Sequence, residues 1–288
     1  MDNTFCGWYF RCQSKDRTVA LIPAAHTVKG DRTGSLQIIT EAGSLLVPFS
    51  REDVSVSPEH PRAVLGKSVF RENGIWLNAH TAQVSVSGEL RFGPLSPIRY
   101  DIMGPFRYVP FMECRHSVAS MRHTVNGNLC VNGTSYHFAN AAGYLEGDHG
   151  RSFPRRYAWT QCFFEGGSLM LSIAEIPLGA LRFQGIIGIV CVDGLEYRFA
   201  TYLGAKAEKL SDGQIVVRQG GTVLSAALLE KRAHSLKAPA CGAMSRNIRE
   251  NVACRAAYRF SIGNRKILDL ESSRAAFEYE YPDSGESL

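Results

Sequence analysis

The segment GYLEGDHGRSFPRRYAWTQC, residues 143–162, concentrates side chains that can do acid–base chemistry. Its two carboxylates, Glu146 and Asp148, precede His149, whose imidazole could relay a proton. A carboxyl group held in an apolar pocket stays protonated near neutral pH and can act as a general acid. We therefore expect Asp148, Glu146 and His149 to form a catalytic group, with Asp148 favoured over Glu146 as the proton donor.

The same segment supplies groups that could surround an apolar ligand. Aromatic side chains present large apolar faces that also attract cations. Side chains alternate along a strand, so Tyr157, Trp159 and Gln161 would share one face if that piece is extended. The expected substrate-binding residues are Tyr144, Arg151, Phe153, Tyr157, Trp159, Gln161 and His116.

A structural interpretation of this segment stays open beside the functional one. Three glycines are typical of a loop, in which Asp148 could pair with Arg151. A carboxylate paired with arginine has a lowered pKa and is a poor general acid. His116 could be a proton shuttle, or a buried imidazole whose hydrogen bonds are satisfied inside a barrel.

Cofactor motifs are missing from the sequence. There is no phosphate-binding loop, no dinucleotide-binding glycine pattern and no nucleophile elbow. The stretch MECRHSVASMRH puts Cys114 and His116 on one face of a predicted strand, but two ligands do not make a tetrahedral metal site. No clustered basic face indicates nucleic-acid binding. We expect no metal, no cofactor and no nucleic-acid partner.

Turn signals dominate the chain and predict an all-β fold. Asn-Gly or Asp-Gly pairs, which favour type I′ hairpins, occur at residues 73–74, 126–127, 132–133, 193–194 and 212–213. Only the windows TVLSAALLEKRAHSL and CGAMSRNIRENVACRA show helix-like spacing. We predict two antiparallel β-barrel or sandwich domains with very few helices, residues 1–140 and 141–288.

Composition points to a reduced, cytoplasmic protein. The chain has 288 residues, a formal net charge of +5, eight cysteines without C-x-x-C spacing and no signal-peptide pattern at its start. The scattered basic residues could assist contact with an anionic ligand or the periphery of a membrane. The sequence does not indicate an oligomeric state.

Several stretches in a fixed order carry a resemblance to a known family. These are GWYFRC, VALIPAAH, IMGPFRYVPFMECRHSV, the segment 143–162, YRFATYLGA and LKAPACGAMSRNIRE. Together they resemble the tocopherol cyclase family, in its bacterial form, from about Gly7 to about Phe277. Plant-type members carry Asn-Trp-Gly where this chain has Asp148-His149-Gly150. That difference argues against assuming tocopherol itself as the product.

The resemblance implies a fold and a chemistry. The implied fold has two lipocalin-like β domains and is related to that of carotenoid hydratases; such a barrel can hold one small apolar ligand. The implied chemistry is an acid-catalysed, cofactor-independent cyclisation, isomerisation or hydration of a prenylated, quinol- or isoprenoid-like molecule. The alternatives are a lipocalin-like carrier of a hydrophobic small molecule that performs no chemistry, and a structural protein that serves a partner surface.

Overall fold

The computed structural model describes residues 3–109, 112–178, 181–230 and 233–282. Nearly all regular structure in these ranges is antiparallel β, which confirms the predicted all-β class of two lipocalin-like domains. The helical elements there are three short 3-10 segments, Arg51–Asp53, Gly104–Tyr108 and Thr201–Leu203. Within the described ranges no helix has the length and apolarity needed to span a bilayer.

The first sheet has eleven strands in the order β4-β3-β2-β1-β11-β10-β9-β8-β7-β6-β5. Its strands are β1 (Thr4–Gln13), β2 (Thr18–Val28), β3 (Asp31–Thr40), β4 (Gly43–Phe49), β5 (Val54–Val56), β6 (Ala63–Leu65), β7 (Ser68–Arg71), β8 (Gly74–His80), β9 (Ser85–Phe92), β10 (Cys114–Val131) and β11 (Thr134–Gly150). Consecutive strands are neighbours except for β4 and β5, which lie at opposite ends of this order, and β11 returns to pair with β1. That return places β11 in the middle of the sheet.

The second sheet has the order β15-β14-β13-β12-β21-β20-β18-β17-β16, and β19 pairs with β20. Its strands are β12 (Tyr157–Phe164), β13 (Gly167–Leu178), β14 (Leu181–Val192), β15 (Leu195–Ala200), β16 (Lys206–Ser211), β17 (Gln214–Gln219), β18 (Thr222–Leu228), β19 (His234–Ala240), β20 (Ala243–Ile262) and β21 (Arg265–Tyr279). The last strand, β21, returns to pair with the first, β12, as β11 does with β1.

The chain forms two compact units. The first contains residues 1–153 and 236–247, and the second contains 154–235 and 248–288. A division after residue 140 would cut β11, which stays paired with both β1 and β10 up to Gly150. The units therefore separate after β11 has ended.

Each unit has its own apolar core, built by strand alternation. In β1, Trp8, Phe10 and Cys12 face the core of the first unit. The opposite face of β1 is also buried, because Tyr9 and Arg11 are almost inaccessible to solvent. Residues 236–247 cover part of that opposite face in the first unit. There the Gln37 side-chain amide donates to the Lys237 carbonyl and accepts from its N–H, both at 2.9 Å.

Four of the five Asx-Gly pairs lie at turns between strands, and in three of them the pair supplies both turn residues. At Asn73-Gly74 the turn residues are Glu72 and Asn73, and Gly74 begins β8. Asn132 and Gly133 both have positive φ, 46° and 81°, as a type I′ turn requires. Asn126-Gly127 is the exception, because it lies inside β10 at a register shift between Val125 and Gly127. The turn predicted there is wrong, and the glycine serves a β-bulge.

The two helix-like windows are strands. Thr222–Leu228 is β18, and most of the second window lies in β20. Residues 231–232 of the first window lie outside the described residues. Leu224 and Leu228 are four apart, a spacing that also puts two residues on one face of a strand. A helix would have placed Leu229 beside Leu224 and Leu228. Leu224 is fully buried, whereas Leu229 is 45% exposed, as expected for a strand.

Replacing Gly127 with alanine should destabilise the first unit more than the same change in a turn. A Cβ at Gly127, where φ is 131°, would overlap the backbone carbonyl of Glu89. Gly133 also has positive φ, but a Cβ there meets nothing within 4 Å. We expect Gly127→Ala to lower the free energy of unfolding by about 2–4 kcal/mol. Gly133→Ala should cost about 1 kcal/mol. Equal urea midpoints for the two variants would contradict the bulge assignment.

Candidate functional site: a histidine between two carboxylates

Tyr144, Glu146 and Asp148 lie on one face of β11, because side chains alternate along the strand. Leu145, between the first two, points to the opposite face and belongs to the core of the first unit. At Gly147 the Trp8 indole packs against the strand backbone, so a Cβ there would lie 2.6 Å from the ring. The Trp8 indole N–H in turn donates to the Ser57 carbonyl at 2.7 Å. This packing fixes the strand between the two carboxylates.

His116, on the neighbouring strand β10, lies between those two carboxylates. It stands directly opposite Asp148 in the β10–β11 register. Its Nδ1 is 3.0 Å from Asp148 Oδ1, and its Nε2 is 3.1 Å from Glu146 Oε2. Burial alone would lower the pKa of His116, but the carboxylates of Asp148 and Glu146 outweigh burial and raise that pKa well above its ordinary value. The geometry therefore favours an imidazolium between two carboxylates.

Tyr144 closes one end of this network. Its hydroxyl donates to Glu146 Oε2 at 2.6 Å, and the side chain is inaccessible to solvent. Burial, followed by the Glu146 carboxylate, raises the pKa of the Tyr144 phenol well above its ordinary value. The phenol therefore stays a neutral donor and fixes the Glu146 carboxylate in place.

Cys114 closes the other end. Its thiol donates to Asp148 Oδ1 at 3.4 Å, and burial, followed by Asp148, raises its pKa. Both donors to Asp148 therefore use the same oxygen, Oδ1. The Asp148 side chain is 22% exposed, against 11% for His116 and 7% for Glu146. We call His116, Glu146 and Asp148 the triad. Asp148 is thus the member of the triad that a small molecule can reach most easily.

The remaining predicted residues of the first unit lie around this network in different ways. His149 alternates to the other face of β11 from Asp148, and burial, followed by Arg115, lowers its pKa. The relay position beside Asp148 is therefore held by His116. Arg151 is exposed and, among the described residues, forms no ion pair with Asp148. The Phe153 ring packs edge-on against Phe5, with 5.4 Å between ring centroids.

Tyr157, Trp159 and Gln161 lie in the second unit, on β12. They share one face, as predicted, and alternate with Ala158 and Cys162, which face the core of that unit. All three are buried. The Tyr157 hydroxyl donates to Glu278 of the adjacent strand β21.

Two partners in the network were missed or underused by sequence reasoning. Tyr144 was expected only as a lining residue, yet it donates a hydrogen bond to Glu146. The sequence places Cys114 beside His116 as a possible metal ligand or a buried thiol. Its i, i+2 spacing to His116 on one strand face is the signal that points to its role in the network. The spacing of residues within β10 or within β11 does not reveal that these two strands pair in this register.

The triad could also ligate a metal ion. The donor atoms of His116, Glu146 and Asp148 all lie within 4.8 Å of one another. A metal would need an unprotonated imidazole nitrogen, whereas the surrounding carboxylates raise the pKa of His116. We keep the prediction of no tightly held metal: purified protein should contain far less than one zinc or iron per chain by elemental analysis. A stoichiometric metal would contradict it.

One family model matches part of the chain. The tocopherol cyclase-like family model matches residues 72–202, which include β10, β11 and β12. The resemblance carried by the segment 143–162 is thus confirmed within that range. None of the curated proteins is significantly similar to this chain in sequence.

Solved structures share the fold at low sequence identity. CghA in complex with Sch210972 matches with a TM-score of 0.63 and 9% identity, over 98% of this chain and 89% of CghA. CghA itself gives a TM-score of 0.60 at 9% identity, over 99% and 90% of the two chains. Kievitone hydratase from Nectria haematococca matches with a TM-score of 0.58 and 8% identity, over 96% and 89%. These likenesses extend over nearly the whole chain and establish the shared fold.

Proposed function

We propose, on the premise that residues 72–202 are tocopherol cyclase-like, that this protein is a cofactor-independent acid–base enzyme. Its substrate would be an apolar, prenylated molecule of the quinol or isoprenoid type. The reaction would begin with proton addition to an alkene and end in cyclisation, hydration or isomerisation. The similarity in fold to kievitone hydratase, an enzyme named for a hydration, supports this class of chemistry.

The observation that carries the proposal is the placement of His116 between Glu146 and Asp148. The His116 imidazole, whose pKa these carboxylates raise, lies 3.0 Å from Asp148, the more accessible of the two carboxylates. Tyr144 and Cys114 fix the outer ends of the network by hydrogen bonds. The arrangement keeps a transferable proton on the buried His116 imidazole, next to the more accessible carboxylate of Asp148.

In the proposed first step, an apolar ligand covers Asp148 and displaces water from its carboxylate. Loss of water disfavours the charged form of a carboxyl group. The proton on His116 Nδ1 then moves to the carboxyl of Asp148, while Glu146 keeps the imidazole in place. Asp148 gives this proton to the less substituted carbon of the alkene, and a tertiary carbocation forms. Asp148 is left as a carboxylate.

The carbocation is consumed in a way that restores the proton. Attack by a phenol oxygen closes a ring, attack by water gives an alcohol, and loss of a neighbouring C–H proton gives a shifted alkene. In each case one proton is released, which the Asp148 carboxylate accepts. The negative charge of the carboxylates stabilises the cation until that happens. Trp159 and Gln161 stay predicted ligand-binding residues.

Incubation with a prenylated hydroquinone in D2O tests the proposal without knowledge of the natural product. Proton addition from an exchangeable donor should place one deuterium on a carbon of the product, which is a mass increase that survives return to H2O. We expect this label with the wild-type protein and its loss with Asp148→Asn. Tight binding of the hydroquinone with no carbon-bound deuterium would instead identify a carrier.

We also propose a cytoplasmic location for this activity. All eight cysteines are free thiols, and Cys12, Cys162 and Cys254 are buried. Burial raises the pKa of Cys12 to about 12, so this thiol is protected from oxidation as well as enclosed. A chain built around buried thiols suits a reducing compartment.

A further inference from the structure

Three neighbouring strands of the first sheet carry an exposed apolar row on the face away from the core. Val64 of β6 stands opposite Val69 of β7, and Val69 stands opposite Trp76 of β8. Their sequence neighbours Ala63, Leu65, Phe70, Ile75 and Leu77 all belong to the core. Val64 is 41% exposed and Trp76 is 54% exposed. Large apolar side chains side by side on an exposed sheet face indicate an interaction surface.

Arginines border this row. Arg62 precedes Val64 by two positions and Arg71 follows Val69 by two, so both guanidinium groups leave the sheet on the same face as the valines. Both arginines are exposed, and neither forms an ion pair within the part of the chain that the structure describes. Across from Trp76, Glu89 is paired with Arg91 at 2.8 Å, so that carboxylate is already neutralised.

Carboxylates near this face lie in the segments that connect its strands, among them Glu52 and Asp53 in the 3-10 segment before β5. Glu59 lies in the loop between β5 and β6, and Glu72 lies in the turn between β7 and β8. A cleft of about 660 Å³ opens beside the arginines. Its lining includes Ser55, Ser57, Arg62, Val64, Val69 and Arg71. Its size suits a small polar group with an adjoining apolar part.

We propose that this face, defined by Arg62, Val64, Val69, Arg71 and Trp76, docks on an anionic membrane surface. Tryptophan is favoured at the boundary between lipid chains and head groups, where its ring is buried and its N–H stays hydrated. The valines add apolar area beside it, and each basic residue near an anionic surface contributes about 1 kcal/mol. The inference does not depend on the proposed reaction, although an apolar substrate would dissolve in the same bilayer.

Tryptophan fluorescence with brominated lipid vesicles tests the docking directly. The chain has three tryptophans, and Trp8 and Trp159 are 3% and 5% exposed, so Trp76 is the one that lipid can reach. We expect a blue shift and bromine quenching with vesicles of phosphatidylcholine and phosphatidylglycerol. Vesicles of phosphatidylcholine alone should have little effect, and added salt should weaken the response. Trp76→Phe should remove the quenching.

Charge variants distinguish vesicle binding through this face from binding that depends only on the net charge of the chain. Arg62→Gln with Arg71→Gln should weaken binding to anionic vesicles about fivefold per arginine. The control pair is Arg259→Gln with Arg265→Gln, which removes two exposed charges from the second unit. That pair should leave vesicle binding nearly unchanged. Asp148→Asn should also leave it unchanged, so docking and catalysis can fail independently.

Three outcomes would overturn the proposal. The first is an absence of Trp76 quenching by brominated lipid in anionic vesicles. The second is an equal loss of binding in the two charge-pair variants, which would mean that only net charge matters. The third is a concentration-dependent dimer, seen by sedimentation without lipid and abolished by Trp76→Ser, which would assign the face to a second copy of the chain.

Discussion

Asp148→Asn should lower the turnover of a prenylated hydroquinone by roughly 10²–10⁴-fold, the range typical of a lost general acid. The amide keeps the shape of the side chain and an oxygen that can accept from His116 and Cys114. It cannot carry the proton to the substrate. Ligand affinity should change little, because the apolar contacts are untouched. Product formation under saturating substrate measures the effect.

Thermal unfolding of the same variant separates a catalytic role from a structural one. His116 keeps Glu146 as a partner in Asp148→Asn, so we expect only a modest loss of stability. If Asp148 served only to hold the buried imidazolium, the loss could reach the 3–5 kcal/mol of a broken buried pair. An unstable variant with normal turnover per folded molecule would assign Asp148 to the scaffold. Glu146→Gln is the matched comparison, since it removes the less accessible carboxylate.

The second large effect is a loss of stability in mild acid that comes from His26 and His123. Burial lowers the pKa of each imidazole to about 4 from 6.5. The unfolded chain therefore binds more protons than the folded one between these values, so stability falls as the pH falls below 6.5. Each histidine should cost about 2 kcal/mol between pH 7 and pH 5. The sum is a large part of the stability of an ordinary domain.

His116 acts in the opposite direction and in another pH window. Its folded pKa is raised, so its contribution to stability is fully present below pH 6.5 and is lost as the pH rises towards the folded value. These three histidines together therefore favour the folded state most near pH 6.5. Below that value the contribution of His116 is constant and does not mask the effect of His26 and His123.

Urea unfolding at pH 7 and pH 5 measures how much His26 and His123 contribute to the pH dependence of the unfolding free energy. His26→Gln and His123→Gln should each flatten the dependence of the unfolding free energy on pH by about 2 kcal/mol over this interval. His137→Gln is the control, because His137 is exposed and its imidazole bonds Asn128 at the surface. The assignment would be contradicted if the buried variants and the control showed the same pH dependence.

Local chemistry in the sequence predicts much of the fold. Asn132-Gly133 can adopt positive φ at both positions, so it forms a turn wherever it stands between two strands. Asn126-Gly127 has the same local preference but lies inside β10, where pairing to β9 and β11 prevails over the turn. The helices indicated by two sequence windows are strands instead, because a four-residue spacing of apolar residues fits both a helix and one face of a strand.

The sequence predicts the part of the site that depends on local strand alternation, but not the part that depends on strand pairing. Alternation along β11 groups Glu146 with Asp148 and separates His149 from them, which strand periodicity alone implies. The partner that completes the group, His116, is 32 residues away from Asp148. Its position depends on the register of β10, which shifts at Val118–Ser120 and again at Ser120–His123. No local pattern in the sequence encodes those shifts.

The protonation state of His116 tests the central claim most directly, because it requires no substrate. Nitrogen NMR of histidine-labelled protein at pH 7, assigned with His116→Gln, reports both ring nitrogens. We predict that both nitrogens of His116 carry protons at pH 7, while His26 and His123 are neutral. A neutral His116 at pH 7, or a His116 ring-nitrogen signal that shifts when a chelator removes bound metal, would contradict the proton-storing network.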